Sequence, residues 1–343
     1  MTPALRVADG GLGCSLQDAG RWGYQHFGVP VAGALDWVAL AAANALVQNP
    51  LFSAAVEVMV SGVTLEVESD FVCLAAAGCC GPFAHEGRSF RVTRNPMQTC
   101  FAERGDVLTF RPPQNGGCFY IAVHGGFEAT LVLGSVATYR RARLGGFAGR
   151  NLERGDVLPI AMDRAPNLPS VRLDAPLAVP EALRIMRGPN AEHFSNAAFE
   201  NLVGKPYTVA PASDRMGLRL KGPALERSKQ GELEPEGTTA GAMQVPPDGQ
   251  PIMLMADRQT TGGYPRIATV ISADIPLAGR LVAGSQVHFR EVSRDEAIDA
   301  LKSRRAEVEA FPAKLSAAPL DLFASARLLG VNLIDGVTAG GAV

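Results

Sequence analysis

The sequence predicts a mainly β protein with a few helices, built as sandwiches or barrels rather than regular βαβ units. Three observations carry that reading. The chain has 37 Gly and 24 Pro in 343 residues, well above their usual combined share of roughly 12%. Short runs with apolar residues at every second position recur, with Gly, Pro, Asn or Asp in most of the gaps. Hydrophobic residues make up 47% of the chain and charged ones 19%, a balance that builds cores and excludes disorder. The length suits two domains.

The elements follow in order. A first helix is expected over residues 35–46, apolar on most sides and therefore buried or cradled. Val63, Leu65 and Val67 alternate with Thr64, Glu66 and Glu68, the period of a half-buried strand. Further strands are expected at 71–75, 107–110, 119–123, 183–186, 252–256, 268–271 and 287–290. In the last of these His288 stands between Val287 and Phe289 and reads as a strand residue facing solvent. A second helix is expected over 191–202. A third opens with Ser293 and Glu296 as a capping box, followed by Ile298, Leu301 and Val308 on one face. Pro166, Pro169, Pro176 and Pro180 mark a boundary. This divides the chain into an N-terminal β domain (1–165), a second β domain (182–292) and a C-terminal helix and tail (293–343), whose small-residue end is expected to fray.

Glu103-Arg104-Gly105-Asp106-Val107-Leu108 recurs as Glu153-Arg154-Gly155-Asp156-Val157-Leu158. Each copy reads as a Gly-Asp turn feeding a strand, in preference to an Arg-Gly-Asp adhesion motif.

Several function classes fall away. A net charge of −2 lacks the basic surplus that nucleic-acid binding needs. The most apolar run, 34–47, contains Asp36 and Asn44, so no membrane span is expected. The N-terminus shows no basic segment followed by an apolar one, which reads as no export signal and a cytoplasmic protein. The six cysteines (Cys14, Cys73, Cys79, Cys80, Cys100 and Cys118) contain no CxxC pair and read as reduced core thiols. His26, His85, His124, His193 and His288 show no ligand spacing, so no metal site is expected. The chain has no P-loop, no complete dinucleotide fingerprint, no HExxH and no nucleophile elbow.

Three polar, Gly-rich segments concentrate chemistry. The first gathers Gln17, Asp18, Arg21, Tyr24, Gln25 and His26 ahead of the first helix, with Asp36 at its start. Asp36 reads equally as a helix cap and as a catalytic acid. The second is Ser213-Asp214-Arg215-Met216-Gly217, where Asp214 caps a turn or Arg215 offers its planar fork to a carboxylate or phosphate. The third holds Gln244 and the run Asp257-Arg258-Gln259-Thr260-Thr261-Gly262-Gly263-Tyr264-Pro265. Asp257 and Gln259 are expected to emerge at a strand end. Thr260, Thr261, Gly262 and Gly263 read as a structural turn or as an anion-binding nest.

Together these residues resemble a known family. The run Leu16-Gln17-Asp18-Ala19-Gly20-Arg21, then Gly23-Tyr24-Gln25-His26, Gly28-Val29-Pro30 and Gly33-Ala34 with Asp36, resembles the opening of the biotin-dependent carboxyltransferase family. That family is also described as allophanate hydrolase subunit 2 type and as antagonist of the sporulation kinase inhibitor. Its bacterial members include the C subunit of 5-oxoprolinase. The likeness continues through His124-Gly125-Gly126-Phe127, Leu133-Gly134-Ser135, Thr138-Tyr139, Gly145-Gly146-Phe147, Arg150, Arg187-Gly188-Pro189 and the second and third polar segments, spanning roughly residues 5–292. Departures are Cys14-Ser15, Trp22, Val136-Ala137, Pro235 and Gly279-Arg280-Leu281.

The resemblance implies two cyclophilin-like β-barrel units. It also implies two partners, a kinase-inhibitor-type B subunit plus a lactam-opening A subunit, without which the chain is inactive. The implied reaction is ATP-dependent hydrolysis of 5-oxoproline to glutamate, with ATP shared with a partner. Two alternatives stand beside it. One is the carboxyltransferase component of a biotin-dependent urea or amide carboxylase, using carboxybiotin; the other is a non-catalytic antagonist binding a kinase-inhibitor protein. Either amide chemistry needs groups that polarise a carbonyl, take an N–H proton and hold developing charge. The candidates are Asp36, Asp257 and Gln259 for catalysis. Gln17, Arg21, His26, Arg215, Gln244, Thr260, Thr261, Gly262, Gly263 and Tyr264 are the candidates for substrate or phosphate binding.

Overall fold

The computed structural model describes residues 3–161, 168–174, 181–228 and 233–318. Strands of the first half pair antiparallel into two sheets. One has six strands in the order Val157–Pro159, Ala4–Asp9, Val63–Val67, Val107–Phe110, Phe83–Glu86, Arg91–Arg94. The other has five: Ser15–Gln17, Ala55–Val58, Phe119–Val123, Phe71–Gly78, Thr99–Glu103. Alternation fixes the register. Leu5 opposes Val67 and Val7 opposes Leu65, so their inward side chains meet Val56, Val58, Leu74 and Ile121 of the second sheet in one core.

The five-stranded sheet is buried on both faces. Phe71, Cys73, Ala75, Ala77, Tyr120 and Ala122 point away from that core and pack against helix α1 (Trp37–Leu46). Five of the ten α1 residues are Ala, and small side chains let a helix lie close on a sheet. Burial on both faces explains why 71–78 and 119–123 read as near-continuous apolar runs.

The second half closes a seven-stranded barrel. Its order is Ala182–Arg187, Arg266–Val270, Ala242–Gln244, Ile252–Leu254, Gly217–Lys221, Tyr207–Val209, Gln286–Glu291. The last strand returns parallel to the first, with Leu183 opposite Phe289. The architecture is therefore mainly β, with a closed barrel in the second unit and a pair of packed sheets in the first. The α1 core continues into the barrel interior through Leu183, Ile185, Met243, Met253 and Ile267, so the two units share one hydrophobic cluster.

The helices adjust the expected boundaries. The segment 191–202 splits into a 3-10 turn, Ala191–His193, and helix α2, Asn196–Gly204. Ser195 restarts the helix by accepting a bond from the Ala198 N–H. Helix α3 (Ile275–Ala278) is short. Helix α4 (Arg294–Glu309) carries both halves of its capping box. The strand expected to 256 stops at Leu254. The tail begins in order: Phe311 is buried, and Leu315–Ala317 pairs with Val171–Leu173. Residues 319–343, which include the small-residue end, lie outside the described residues, as do the prolines at 166, 176 and 180.

The repeated hexapeptide is one turn used twice. Gly105 and Gly155 adopt positive φ (87° and 94°), which glycine tolerates without strain. In each copy the Asp carboxylate accepts from the backbone N–H of the Glu three residues earlier, at 3.0 and 2.8 Å. Asp106 then meets His85 and Asp156 meets Arg150. Both Asp side chains are buried, so the motif anchors strands and presents no adhesion loop.

Candidate functional site

The seam between the units is built from charge. Arg215, just before the strand Gly217–Lys221, donates to both oxygens of Asp257: Nε to Oδ2 at 3.1 Å and Nη2 to Oδ1 at 2.9 Å. Its Nη1 pairs with Glu57, and Nη2 also reaches the Gly33 carbonyl at 2.5 Å. Glu57 lies in the fully buried strand Ala55–Val58. Its second oxygen accepts from the Tyr120 hydroxyl (2.5 Å) and the Leu35 N–H (3.0 Å). Tyr120 in turn accepts from the Asp36 N–H at 3.0 Å.

Asp36 completes the set. Oδ1 accepts from Val38 and Ala39 N–H at 3.1 and 3.0 Å, capping α1, while Oδ2 meets Arg280 Nε at 2.6 Å. All of these side chains are almost fully enclosed. Burial pulls the Arg215 guanidinium down, but Asp257 and Glu57 outweigh it and hold its pKa above the usual value. Arg280 follows the same logic with Asp36. Burial, reinforced by Cys118, Glu57 and Asp36, pushes the Tyr120 hydroxyl well above its usual range, so it stays a donor.

Two cavities flank this seam. A small one of about 240 Å³ is lined by Arg140, Arg141, Asp214, Arg215, Met216 and Asp257. A larger cleft of about 640 Å³ runs between the units and α4, with Trp22, Trp37, Met255, Arg258 and Leu301 among its walls. Asp257 lines the small cavity, while Ala256 and Arg258 line the cleft. The segment 255–258 thus borders both.

Three of the polar candidates, Gln17, Arg21 and Gln244, are buried. Gln259 Nε2 donates to Gln244 Oε1 at 2.9 Å, and the buried Gln244 Nε2 has no partner among the described residues. Gln17 Nε2 donates to the Thr138 carbonyl, and Arg21 Nη2 to the adjacent Ala137 carbonyl. Gln17 Oε1 and Arg21 Nη1 are buried without partners among the described residues. Burial lowers the Arg21 pKa against the opposing pull of Asp18 and Asp257. Tyr139, on the same segment, is raised by burial and then by Asp257. These shifts place Arg21 and Tyr139 within electrostatic reach of Asp257.

Other candidates stand differently. Thr261 and Gly262 form a short strand paired with Glu236–Gly237, and neither Gly262 nor Gly263 adopts positive φ. Thr260 accepts from the Thr238 N–H. The segment is therefore extended ribbon and lacks the alternating backbone of an anion nest. His26 and Tyr264 are exposed, His26 lying against the Phe27 ring. The Arg215 fork, expected to face a ligand, is engaged within the chain. Sequence reasoning missed Glu57, Tyr120, Arg258 and Arg280. Glu57 did carry a signal, a lone acid in an otherwise apolar strand. Among the described residues no group of three or more His, Cys, Asp or Glu could hold a metal. Nor is any helix there long and apolar enough to cross a membrane.

Comparison with known proteins fits this geometry. Residues 27–291 match the family described as carboxyltransferase domain, subdomain A and B. The chain is 35% identical over 302 residues to the C subunit of 5-oxoprolinase from Escherichia coli (strain K12), covering 88% of this chain and 95% of that one. The crystal structure of TTHA0988 superimposes with a TM-score of 0.75 at 35% identity over 84% of this chain. This chain spans 56% of that longer one. The crystal structure of the Kluyveromyces lactis urea amidolyase gives a TM-score of 0.79 at 25% identity, covering 91% of this chain and 20% of that one.

Proposed function

The chain belongs to the carboxyltransferase family with subdomains A and B, and from that premise we propose that it is the C subunit of a 5-oxoprolinase. One observation carries the reading: the 35% identity that spans 95% of the Escherichia coli protein of that name. In this reading it works in the cytoplasm with a kinase-inhibitor-type B subunit plus a lactam-opening A subunit, hydrolysing 5-oxoproline to glutamate with ATP as co-substrate.

The residues suit an amide substrate. A lactam resists attack because resonance makes its carbonyl a poor electrophile and its nitrogen a poor nucleophile. The linked Gln244–Gln259 amides supply a donor and an acceptor on one rigid pair, suited to a peptide-like group. Gln17 and Arg21 each keep an unpartnered buried polar atom among the described residues. Asp257 is proposed as the acid–base group, since it alone of the seam carboxylates lines a cavity. For ATP, the fitting groups are Arg140 and Arg141, exposed at the small cavity and without ion-pair partners among the described residues. Two guanidinium groups side by side suit phosphate oxygens.

The test is reconstitution with neighbouring B and A subunits, reading ADP release against 5-oxoproline. ADP release that needs this chain is expected, with Asp257→Asn lowering it at least about a hundredfold. Absence of ADP release overturns the reading. Urea-dependent consumption of carboxybiotin would replace it with the carboxyltransferase alternative. Tight binding to the B subunit without turnover would replace it with the antagonist.

A further inference from the structure

The larger cleft holds a charge that the seam leaves unexplained. Arg258 is only 5% exposed. The one side-chain hydrogen bond it makes to a described residue is a long one, Nη1 to the Met255 carbonyl at 3.3 Å. Its Nε is buried without a partner among the described residues. The other buried arginines at the seam differ: Arg215 holds two carboxylates and Arg280 holds Asp36. Burial lowers the Arg258 pKa with no neighbouring anion opposing it.

An enclosed guanidinium without an anion is costly, and the cost is offset when a ligand brings the anion. With Nη1 turned to Met255, the Nε–Nη2 edge is left. That edge matches the two oxygens of a carboxylate in a bidentate pair. The surrounding cleft is mostly apolar, with Val31, Leu35, Trp37 and Met255 in its walls and Thr239 and Ser272 as small polar points. Asp18, Glu309 and a second cation, Arg305, also line it, Glu309 and Arg305 being exposed to solvent. Asp18 is already engaged by Ser135 Oγ at 2.6 Å and Val136 N–H at 2.8 Å. With the exposed Arg305 set against the exposed Glu309, a doubly charged phosphate would still face Asp18 with Arg258 as the one enclosed cation. A single negative charge balances Arg258.

We propose that Arg258 anchors the carboxylate of a compact, singly charged organic acid whose body lies on the apolar wall of the larger cleft. That this acid is 5-oxoproline rests on the functional reading above; the carboxylate anchor itself does not.

The chain supplies its own reporter. It has 2 Trp, Trp22 and Trp37, and both line the cleft. Tryptophan emission of the full chain is titrated with 5-oxoproline, with 2-pyrrolidinone (the same ring without the carboxylate) and with inorganic phosphate. Expected are a saturable change with 5-oxoproline, at least about tenfold weaker binding of 2-pyrrolidinone and a similar loss in Arg258→Met. Arg258→Lys is expected to recover part of it. Thermal unfolding of Arg258→Met is expected at or above the wild-type temperature, because the cation has no internal ion pair to lose. Equal binding of the neutral lactam, tighter binding of phosphate, an unaffected Arg258→Met or a destabilised one would each overturn the anchor. Saturable 5-oxoproline binding without turnover in the reconstituted complex would retain it and overturn the functional reading. Turnover unaffected by Arg258→Met would do the reverse.

Discussion

The Asp36–Arg280 pair separates a structural role for Asp36 from a catalytic one. Its side chains are 0% and 2% exposed and meet at 2.6 Å. Removing one partner of such a pair leaves a buried charge uncompensated and costs about 3–5 kcal/mol. Asp36→Asn isolates that charge, because Asn caps a helix about as well as Asp and the α1 cap is kept. Arg280→Met removes the cation while retaining most of the buried stem. Each single substitution is therefore expected to cost about 3–5 kcal/mol, seen as a lower denaturant midpoint and a melting temperature lower by roughly 4–7 °C. The double substitution leaves two neutral side chains facing each other. Its cost is expected to fall to about 2 kcal/mol, a coupling of at least about 4 kcal/mol in the double-mutant cycle. ADP release by the reconstituted complex then decides the role. If Asp36 only holds α1 and the seam, the double variant regains turnover along with stability. Costs that simply add would refute the buried-pair reasoning, and a stable but inactive double variant would assign Asp36 to the chemistry.

Four further outcomes are expected. Asp156 is held below its ordinary 3.8 by the Arg150 hydrogen bond, so its contribution is present above 3.8 and lost as the pH falls through the lower folded value. Asp156→Asn is expected to cost no more than about 1 kcal/mol at neutral pH, Arg150 being partly exposed, and urea titrations at falling pH should show that difference vanish. Replacing both Ser293 and Glu296 by Ala removes the capping box of α4, at about 1 kcal/mol; hydrogen exchange should speed up in its first turn. Burial pushes the Cys14 and Cys80 thiols up to about 12 and raises Cys79 and Cys118, so a thiol reagent at pH 8 should find almost none of the six cysteines until denaturant is added. In Gly262→Ala the new methyl would sit 2.4 Å from Gln244 Nε2; the amide end can swing away, so the melting temperature should hold while turnover falls as the Gln pair is displaced.

What could be read from the sequence is what depends on near neighbours. The alternation of Val63–Val67, the Ser293 capping box and the doubled Gly-Asp turn are local patterns, and each forms as its pattern dictates. The seam is the opposite case. Arg215 finds Glu57 across 158 positions, and Arg280 finds Asp36 across 244. No spacing rule reaches so far. The 260–263 segment shows the same limit: its Gly-Gly composition suits a nest, but pairing with Glu236–Gly237 from elsewhere in the chain draws it out straight. Tertiary pairing overrides turn preference wherever a partner strand is at hand.

The residues through which the resemblance was read do two kinds of work. Asp36, Gly33 and Arg215 bind the units together, and Asp18 ties the first polar segment to 135–136. Such residues set the angle at which the sheets meet the barrel, and hence the shape of both cavities. A likeness carried by them reports a shared architecture, which is why one fold superimposes on both a urea amidolyase and TTHA0988. Choice of substrate must come from side chains that face the cavities and hold no seam partner. By that criterion the proposed carriers of specificity are Arg258 in the cleft and the Arg140–Arg141 rim of the small cavity. Trp22 and α4, which lie outside the matched family segment 27–291, add further walls to the cleft. Changes there should alter which acid is bound while leaving the fold intact; changes at the seam should do the reverse.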